Sequence, residues 1–299
     1  MRIHYESHRF GEKAHNFIGV ANTIIEEYMD QGFALTLRQL YYQFVARNFL
    51  PNDVRSYGKL GALISKARRA GHIDWNAIED RTRFLRKNAH WTSPHEILQA
   101  CANQYQEDKW AKQHTRVEVW IEKDALLGTI EGACQDNDVP FLSCRGYTSD
   151  SAIWRAAQRI DQQVEEFKQT VLILHLSDHD PSGIDMTRDL GARLELFTLR
   201  AEWDILRIAL TKEQIQLFHL PANPAKVTDS RYASYIQLHG PNSWELDALS
   251  PKVLDNLVRT AIDASRDDKA WKSALRREQR GRRALLRLAD GLPQTRKGH

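Results

Sequence analysis

Three acidic residues follow two of the strands that the sequence predicts. Residues 170–177 form an apolar run rich in β-branched side chains, typical of a buried parallel strand, and Asp178 and Asp180 come directly after it. Glu122 follows a second such run, residues 116–121. Open α/β sheets bind ligands at the carboxyl ends of their strands, and carboxylate oxygens suit Mg²⁺. The spacing therefore predicts a Mg²⁺ site, although each acid could instead cap a helix or face solvent in a turn.

A tyrosine and an arginine share one side of a predicted N-terminal helix. Thr36 is a favourable N-cap, and the apolar residues after it predict a helix over residues 37–47. Tyr42 lies about 100° from Tyr41, off the apolar stripe and one turn after Arg38. A guanidinium lowers the cost of forming a phenolate and can hold a phosphate. Tyr42 and Arg38 are therefore candidates for a nucleophile and its phosphate ligand, or simply exposed residues without a catalytic role.

Basic side chains accumulate on the next predicted helix and on the segment after it. Residues 56–70 predict a helix with one apolar and one basic side, like the recognition helix of a helix-turn-helix. Residues 73–83 alternate in part and are predicted to form a wing. The candidate DNA contacts on these two segments are Lys59, Lys66, Arg69, Arg81 and Arg83. The alternative is that these residues are ordinary solvated surface.

The order of elements predicts an α/β fold. From residue 116 onward, strands and helices alternate, which predicts a parallel sheet flanked by helices. The predicted strands are residues 116–121, 141–144, 170–177 and 205–210, and the helices between them are residues 124–135, 151–167 and 184–199. We place a domain boundary near residue 90, with an N-terminal winged-helix domain over 1–90 and the α/β domain over 91–299. Neither GxGxxG nor GxxxxGK[ST] occurs, which argues against nucleotide binding by those loops.

Two features after residue 240 have more than one interpretation. Glu245 and Asp247 lie in a predicted edge strand, residues 244–249, and either extend the acidic cluster or face solvent; we favour solvent. The predicted last helix, residues 269–289, is rich in arginine. It could lie along DNA, stabilise a dimer, or do neither.

Composition and charge limit the class of protein. The net charge is only +3, but residues 1–90 carry +5, residues 91–267 carry −9 and residues 268–299 carry +7. This distribution suits a polyanion-binding module joined to a metal-binding one, and solvated helix faces would also explain it. No apolar run approaches the roughly 18 residues of a membrane span, and the N-terminus has no signal-peptide core. With three unpaired cysteines, we expect a cytoplasmic protein associated with the nucleoid.

Three motifs resemble one family. Residues 36–42 resemble the tyrosine motif of the A subunit of DNA topoisomerase VI and its meiotic double-strand-break relative. Residues 121–125 resemble the glutamate motif of that family's Toprim domain, and residues 178–183 resemble its paired-aspartate motif. The order of the motifs matches, and the resemblance covers roughly residues 30–190. The chain looks most like the short stand-alone members called Mini-A. It is shorter than the topoisomerase subunit, and nothing in it resembles the ATPase partner subunit.

The resemblance implies a mechanism. Tyr42 would attack double-stranded DNA and form a 5′-phosphotyrosyl link, with Mg²⁺ on Glu122, Asp178 and Asp180 and with Arg38 holding the phosphate. In that family a homodimer joins the tyrosine of one protomer to the metal site of the other, and a separate ATPase subunit is a possible partner. Two alternatives remain open. One is a Toprim nuclease that uses a metal-bound water, and the other is a non-catalytic DNA-binding protein of the same fold.

Overall fold

A parallel sheet of four strands forms the centre of the structure. The computed structural model describes residues 1–78, 88–200 and 202–292. The strands of the sheet are β1 Thr115–Ile121, β2 Phe141–Ser143, β3 Thr170–Leu176 and β4 Trp203–Ala209. Their order is β2-β1-β3-β4, and every neighbouring pair is parallel. The predicted α/β class with a parallel sheet is confirmed.

Helices precede, connect and follow these strands. Their bounds are α1 Glu12–Met29, α2 Leu37–Ala46, α3 Val54–Arg69, α4 Pro94–Gln104, α5 Leu127–Asp136, α6 Asp150–Phe167, α7 Pro181–Phe197, α8 Lys212–Leu217, α9 Tyr232–His239, α10 Pro251–Ala264 and α11 Asp268–Asp290. Each predicted helix has a counterpart within a few residues. None of the helices in the described part of the chain is long and apolar enough to cross a membrane.

Side chains that alternate along β1 and β3 pack into two separate cores, one on each face of the sheet. Val117 and Leu174 point into a core with α5 and α10, whereas Trp120 and Ile173 point into a core with α6 and α7. Alternation along a strand sends successive side chains to opposite faces, so a strand covered on both faces is apolar along most of its length. The two cores fix β1 and β3 side by side, and this sets the positions of the residues that follow them.

The N-terminal helices have a third core. Helices α1, α2 and α3 bury one apolar cluster, which also contains Ala248 from the C-terminal half of the chain. Thr36 caps α2 as the sequence predicts, and Gln39 completes a capping box with it. In the segment predicted as a wing, residues 73–78 form turns, with one bridge between Leu35 and Ile78. The rest of that segment, with Arg81 and Arg83, lies outside the described residues.

The segment before α10 corrects one prediction. Residues 244–249 were expected to form an edge strand, but Leu246–Ala248 forms a single 3-10 turn. A two-residue strand, β6 Asn242–Ser243, instead pairs with β5 Asn223–Pro224. Trp244 exchanges two backbone hydrogen bonds of 2.9 Å with His179, which holds the turn over the carboxyl end of β3.

Candidate functional site

The ends of β1 and β3 bring Glu122 and Asp178 into contact. Ile121 is paired with Leu176, and the Glu122 backbone N–H donates to the Leu176 carbonyl at 2.8 Å. The Asp178 backbone N–H then donates to Glu122 Oε2 at 2.9 Å. Both side chains are buried. Burial, and then the charge of Asp178, raise the pKa of Glu122 to about 7.

Asp180 has a structural role in this arrangement. Its carboxylate caps α7 by accepting a hydrogen bond of 2.6 Å from the Gly183 backbone N–H and one of 3.0 Å from the Ser182 hydroxyl. Capping a helix was the alternative to metal binding for each of the three acids, and Asp180 has this capping role. Asp180 is still close enough to contribute to the raised pKa of Glu122. Gly183 is required by the turn, since a Cβ there would overlap the carbonyl oxygen of Asp178.

A lysine that the sequence analysis did not single out lies at the centre of the acids. Lys123 Nζ is 2.9 Å from Asp178 Oδ1, 3.0 Å from Glu245 Oε2 and 2.8 Å from Asp247 Oδ2. Burial opposes the charge of Lys123, but the three carboxylates outweigh it and raise the pKa of the ammonium. We call Glu122, Lys123, Asp178, Glu245 and Asp247 the acid–lysine cluster. A signal was present in the sequence, because Lys123 directly follows Glu122 at the end of β1.

Glu245 and Asp247 belong to this cluster, so the prediction that they face solvent is wrong. The Asp247 side chain is only 1% exposed and the Glu245 side chain 26%. The turn that begins after Glu245 folds back over β3, and the Leu246 backbone N–H donates to Asp178 Oδ1 at 2.7 Å. Asp247 Oδ1 is buried without a hydrogen-bond partner among the described residues.

Arg38 and Tyr42 reach the same cluster from α2. Arg38 Nη2 lies 2.9 Å from Glu245 Oε2, and Arg38 Nε lies 3.6 Å from Asp247 Oδ2. Tyr42 lies beside Arg38 and Glu245, but it is only 3% exposed, so the prediction of an exposed phenol is wrong. Burial, and then the charge of Glu245, raise the pKa of Tyr42. Tyr42, although it lies off the apolar stripe of α2, is covered by the turn Leu246–Ala248 and does not face solvent.

The acid–lysine cluster offers mainly carboxylate oxygens as possible metal ligands. Among the described residues, no group of three or more His, Cys, Asp or Glu side chains is placed to hold a metal ion. The donors available are carboxylate oxygens, which are the ligands that Mg²⁺ prefers, and one of them on Asp247 is buried without a partner. Lys123 supplies the positive charge between the acids in this state. The ligand type is therefore the one that Mg²⁺ prefers, but in this arrangement the Lys123 ammonium occupies the position between the acids.

Behind the acids, a partly buried arginine holds the loop between β3 and α7. Arg207 of β4 donates to the carbonyls of Asp178 at 2.6 Å, Gly183 at 2.9 Å and Ser177 at 3.1 Å. Burial lowers the pKa of Arg207 to about 10, against the opposing effect of Glu122 and Asp178. The guanidinium thus fixes the backbone that carries Asp178. The sequence does not indicate this role, because an arginine among alternating apolar residues of a strand is usually solvent-exposed.

The predicted DNA contacts on α3 are accessible. Lys59 and Lys66 are exposed, and neither forms an ion pair with another residue of the described chain. Arg69 is partly buried and pairs with Glu6 at 3.2 Å. Arg55, which was not singled out, is exposed one turn before Lys59 and extends the basic side of the helix. These residues form a basic surface separate from the acid–lysine cluster.

Comparison with known proteins adds no family to this description. No protein-family model matches the chain, and no curated protein matches it significantly.

Proposed function

We propose that the chain cleaves double-stranded DNA by Mg²⁺-dependent tyrosyl transfer, as an enzyme resembling the A subunit of DNA topoisomerase VI. The observation that carries the proposal is the contact between two distant parts of the chain. Arg38 and Tyr42 of the N-terminal helices lie against Glu245, which shares Lys123 with Asp178. A phenol and a guanidinium at a carboxylate cluster are the groups that such chemistry needs.

The proposed fold assignments follow from the same resemblance. The three N-terminal helices would be a winged-helix module, and the parallel sheet with its acids would be a Toprim domain. Glu122, Asp178 and Asp180 would hold Mg²⁺, which supplies charge neutralisation at the scissile phosphate when it is bound. The working assembly would be a homodimer that cuts both strands, with a separate ATPase subunit as a possible partner. In the closed state Tyr42 lies at the acids of its own chain, so pairing it with the partner protomer's acids, as in the family, would require α2 to move.

In the transfer step, the Tyr42 oxygen forms a bond to the DNA phosphorus and the 3′ oxygen leaves. The 3′ oxygen gains a proton, and the DNA keeps a 5′-phosphotyrosyl link to the protein. In the closed state Glu245 lies next to Tyr42 and is placed to take the phenol proton before α2 separates, and Arg38, which moves with Tyr42 on α2, would hold the phosphate. DNA reaches Tyr42 only after α2 separates from the turn that contains Ala248, because these two elements bury the phenol.

Burial of Tyr42 favours a second candidate function. A Toprim nuclease would hydrolyse DNA with an activated water at the same acids, and Tyr42 would then be a core residue of the α2 interface. The raised pKa of Tyr42 agrees with this alternative, because a neutral, buried phenol is a poor nucleophile. The two candidates differ in one product, the covalent protein–DNA link.

The experiment is plasmid cleavage with and without protease. Supercoiled plasmid is incubated with the protein and Mg²⁺ or Mn²⁺, denatured, and divided into untreated and protease-treated halves before electrophoresis. Tyrosyl transfer predicts ends that enter the gel only after proteolysis in the wild type, and no cleavage by Tyr42→Phe. The matched control is Tyr57→Phe, a partly buried tyrosine of α3 outside the cluster, which should cut like the wild type.

Each outcome separates the hypotheses. Protein-free ends from both the wild type and Tyr42→Phe would reject tyrosyl transfer and support hydrolysis. Absence of any cleavage under these conditions, together with DNA binding that survives Asp178→Ala, would reject both and leave a DNA-binding protein of this fold. Circular dichroism of each variant shows whether a loss of cleavage reflects a loss of folding.

A further inference from the structure

Helix α11 carries a row of basic side chains on one side. Their spacing of three or four residues keeps them within about 80° of one another around the helix axis. The members of this basic row are Lys269, Lys272, Arg276, Arg280, Arg283 and Arg287. All six are exposed, and none forms an ion pair with another described residue. At about 1.5 Å per residue, the row is about 27 Å long.

The opposite side of α11 is fixed against the α/β domain. Glu278 is buried there, 2.8 Å from Lys109 Nζ and 2.9 Å from Arg282 Nη2, and it accepts a hydrogen bond from the Glu107 backbone N–H at 3.1 Å. The ring of Tyr105 fills the space that a Cβ at Gly281 would occupy. The helix is therefore held in one rotational setting, and that setting directs the basic row to solvent.

Unpaired cations at this density require an explanation beyond solubility. The other arginines of α11, Arg277 and Arg282, have carboxylate partners in Glu107 and Glu278. On the basic side of α11, no acid lies between Lys269 and Arg287, since Glu278 is on the opposite side. Charged helix faces usually mix both signs. A row of one sign along a rigid helix is complementary to a linear polyanion.

We propose that the basic row binds the phosphate backbone of double-stranded DNA, as a contact surface additional to α3. The choice of DNA as the polyanion rests on the proposed function. A membrane surface is disfavoured, because interfacial helices insert an apolar side, and the apolar side of α11 is packed against α4. The contacts are to phosphates and not to bases, so they bind without sequence preference and add to the salt dependence of binding.

The test is the salt dependence of binding to a fluorescently labelled 30-base-pair duplex, measured by anisotropy. The variant is Arg276→Gln/Arg280→Gln/Arg283→Gln. The matched control, Arg155→Gln/Lys168→Gln/Arg200→Gln, removes the same charge from exposed residues elsewhere. Three lost phosphate contacts should reduce the slope of log K against log salt by about 3 and weaken binding at least about tenfold at 0.1 M salt. The control should stay close to the wild type.

Equal slopes for the row variant and the control would overturn the inference. The inference would also be overturned if the basic row contributed more to binding of duplex RNA than of duplex DNA. The same holds if the row variant lost binding to phosphatidylserine vesicles but bound DNA like the wild type. The inference and the proposed function can fail separately. Row-dependent DNA binding without protein-linked ends refutes only the cleavage proposal, whereas protein-linked cleavage with unchanged binding by the row variant refutes only the row.

Discussion

Replacing Lys123 with methionine tests whether this lysine is the internal counterion of the candidate site. The substitution keeps most of the length of the side chain but leaves Asp178, Glu245 and Asp247 without the ammonium that lies within 3.0 Å of each. Removing one partner of a buried ion pair costs about 3–5 kcal/mol. Lys123 is 19% exposed, which favours the lower end, so we expect a loss of about 3 kcal/mol in the free energy of unfolding at pH 8.

Two conditions should restore the stability of Lys123→Met. At pH 5 the carboxylates left without a counterion take up protons, so the loss should shrink. Millimolar Mg²⁺ should also restore stability, because the vacated position lies among carboxylate oxygens. The assay is urea unfolding followed by tryptophan fluorescence at pH 5 and pH 8, with and without MgCl₂.

A second buried lysine provides the matched control. Lys109 pairs with Glu278 at 2.8 Å, and its side chain is 9% exposed, but it lies outside the acid–lysine cluster. Lys109→Met should lose a similar amount of stability that Mg²⁺ does not restore. A loss below about 1 kcal/mol for Lys123→Met would refute the counterion role. Equal recovery of both variants with Mg²⁺ would refute a metal site at the cluster.

Two further predictions concern the backbone and the titration of the same site. The folded-state pKa of Glu122, about 7, lies above its ordinary 4.5, so the unfolded chain loses its proton first and stability falls between these pH values. Glu122→Gln should therefore match the wild type at pH 4 and be about 3 kcal/mol more stable at pH 8 in urea unfolding, and equal stability at both pH values would refute the shift. Gly183→Ala should lower the melting temperature by the equivalent of about 3 kcal/mol, because its Cβ meets the Asp178 carbonyl. Gly19→Ala, in the open interior of α1, should instead stabilise the protein by about 0.5–1 kcal/mol. If Gly183→Ala changed the stability no more unfavourably than Gly19→Ala does, the close approach of Gly183 to Asp178 would be refuted.

The proximity of Glu122 and Asp178 could be predicted from sequence because it depends on local patterns. Each acid follows an apolar run, and adjacent parallel strands end at the same edge of a sheet. The runs identify the strands, and the acids that come after them must meet if the strands are neighbours. In the structure β1 and β3 are adjacent, parallel strands at the centre of the sheet.

The burial of Tyr42 could not be predicted in this way. A helical wheel ranks positions against one apolar side of a helix, but α2 is covered on a second side by the turn around Ala248, which extends the N-terminal cluster. That turn is about 200 residues away in sequence, and its alternating pattern suggested an exposed strand. Glu245 and Asp247 were misassigned for the same reason. Pattern arguments give the face of an element, whereas contacts between distant segments decide what covers that face.

The charges of the site link metal binding to the exposure of Tyr42. Asp178, Glu245 and Asp247 carry three negative charges against two positive charges from Lys123 and Arg38, so the closed site is not electropositive. A DNA phosphate gains little from such a site. If Arg38 leaves with α2 to uncover the phenol, the site loses a positive charge and becomes a stronger site for a divalent cation. Entry of Mg²⁺ would offset the lost guanidinium and attract the phosphate. In the proposed function, opening of α2 and metal binding therefore favour each other, and charge removal at Arg38 should tighten Mg²⁺ binding.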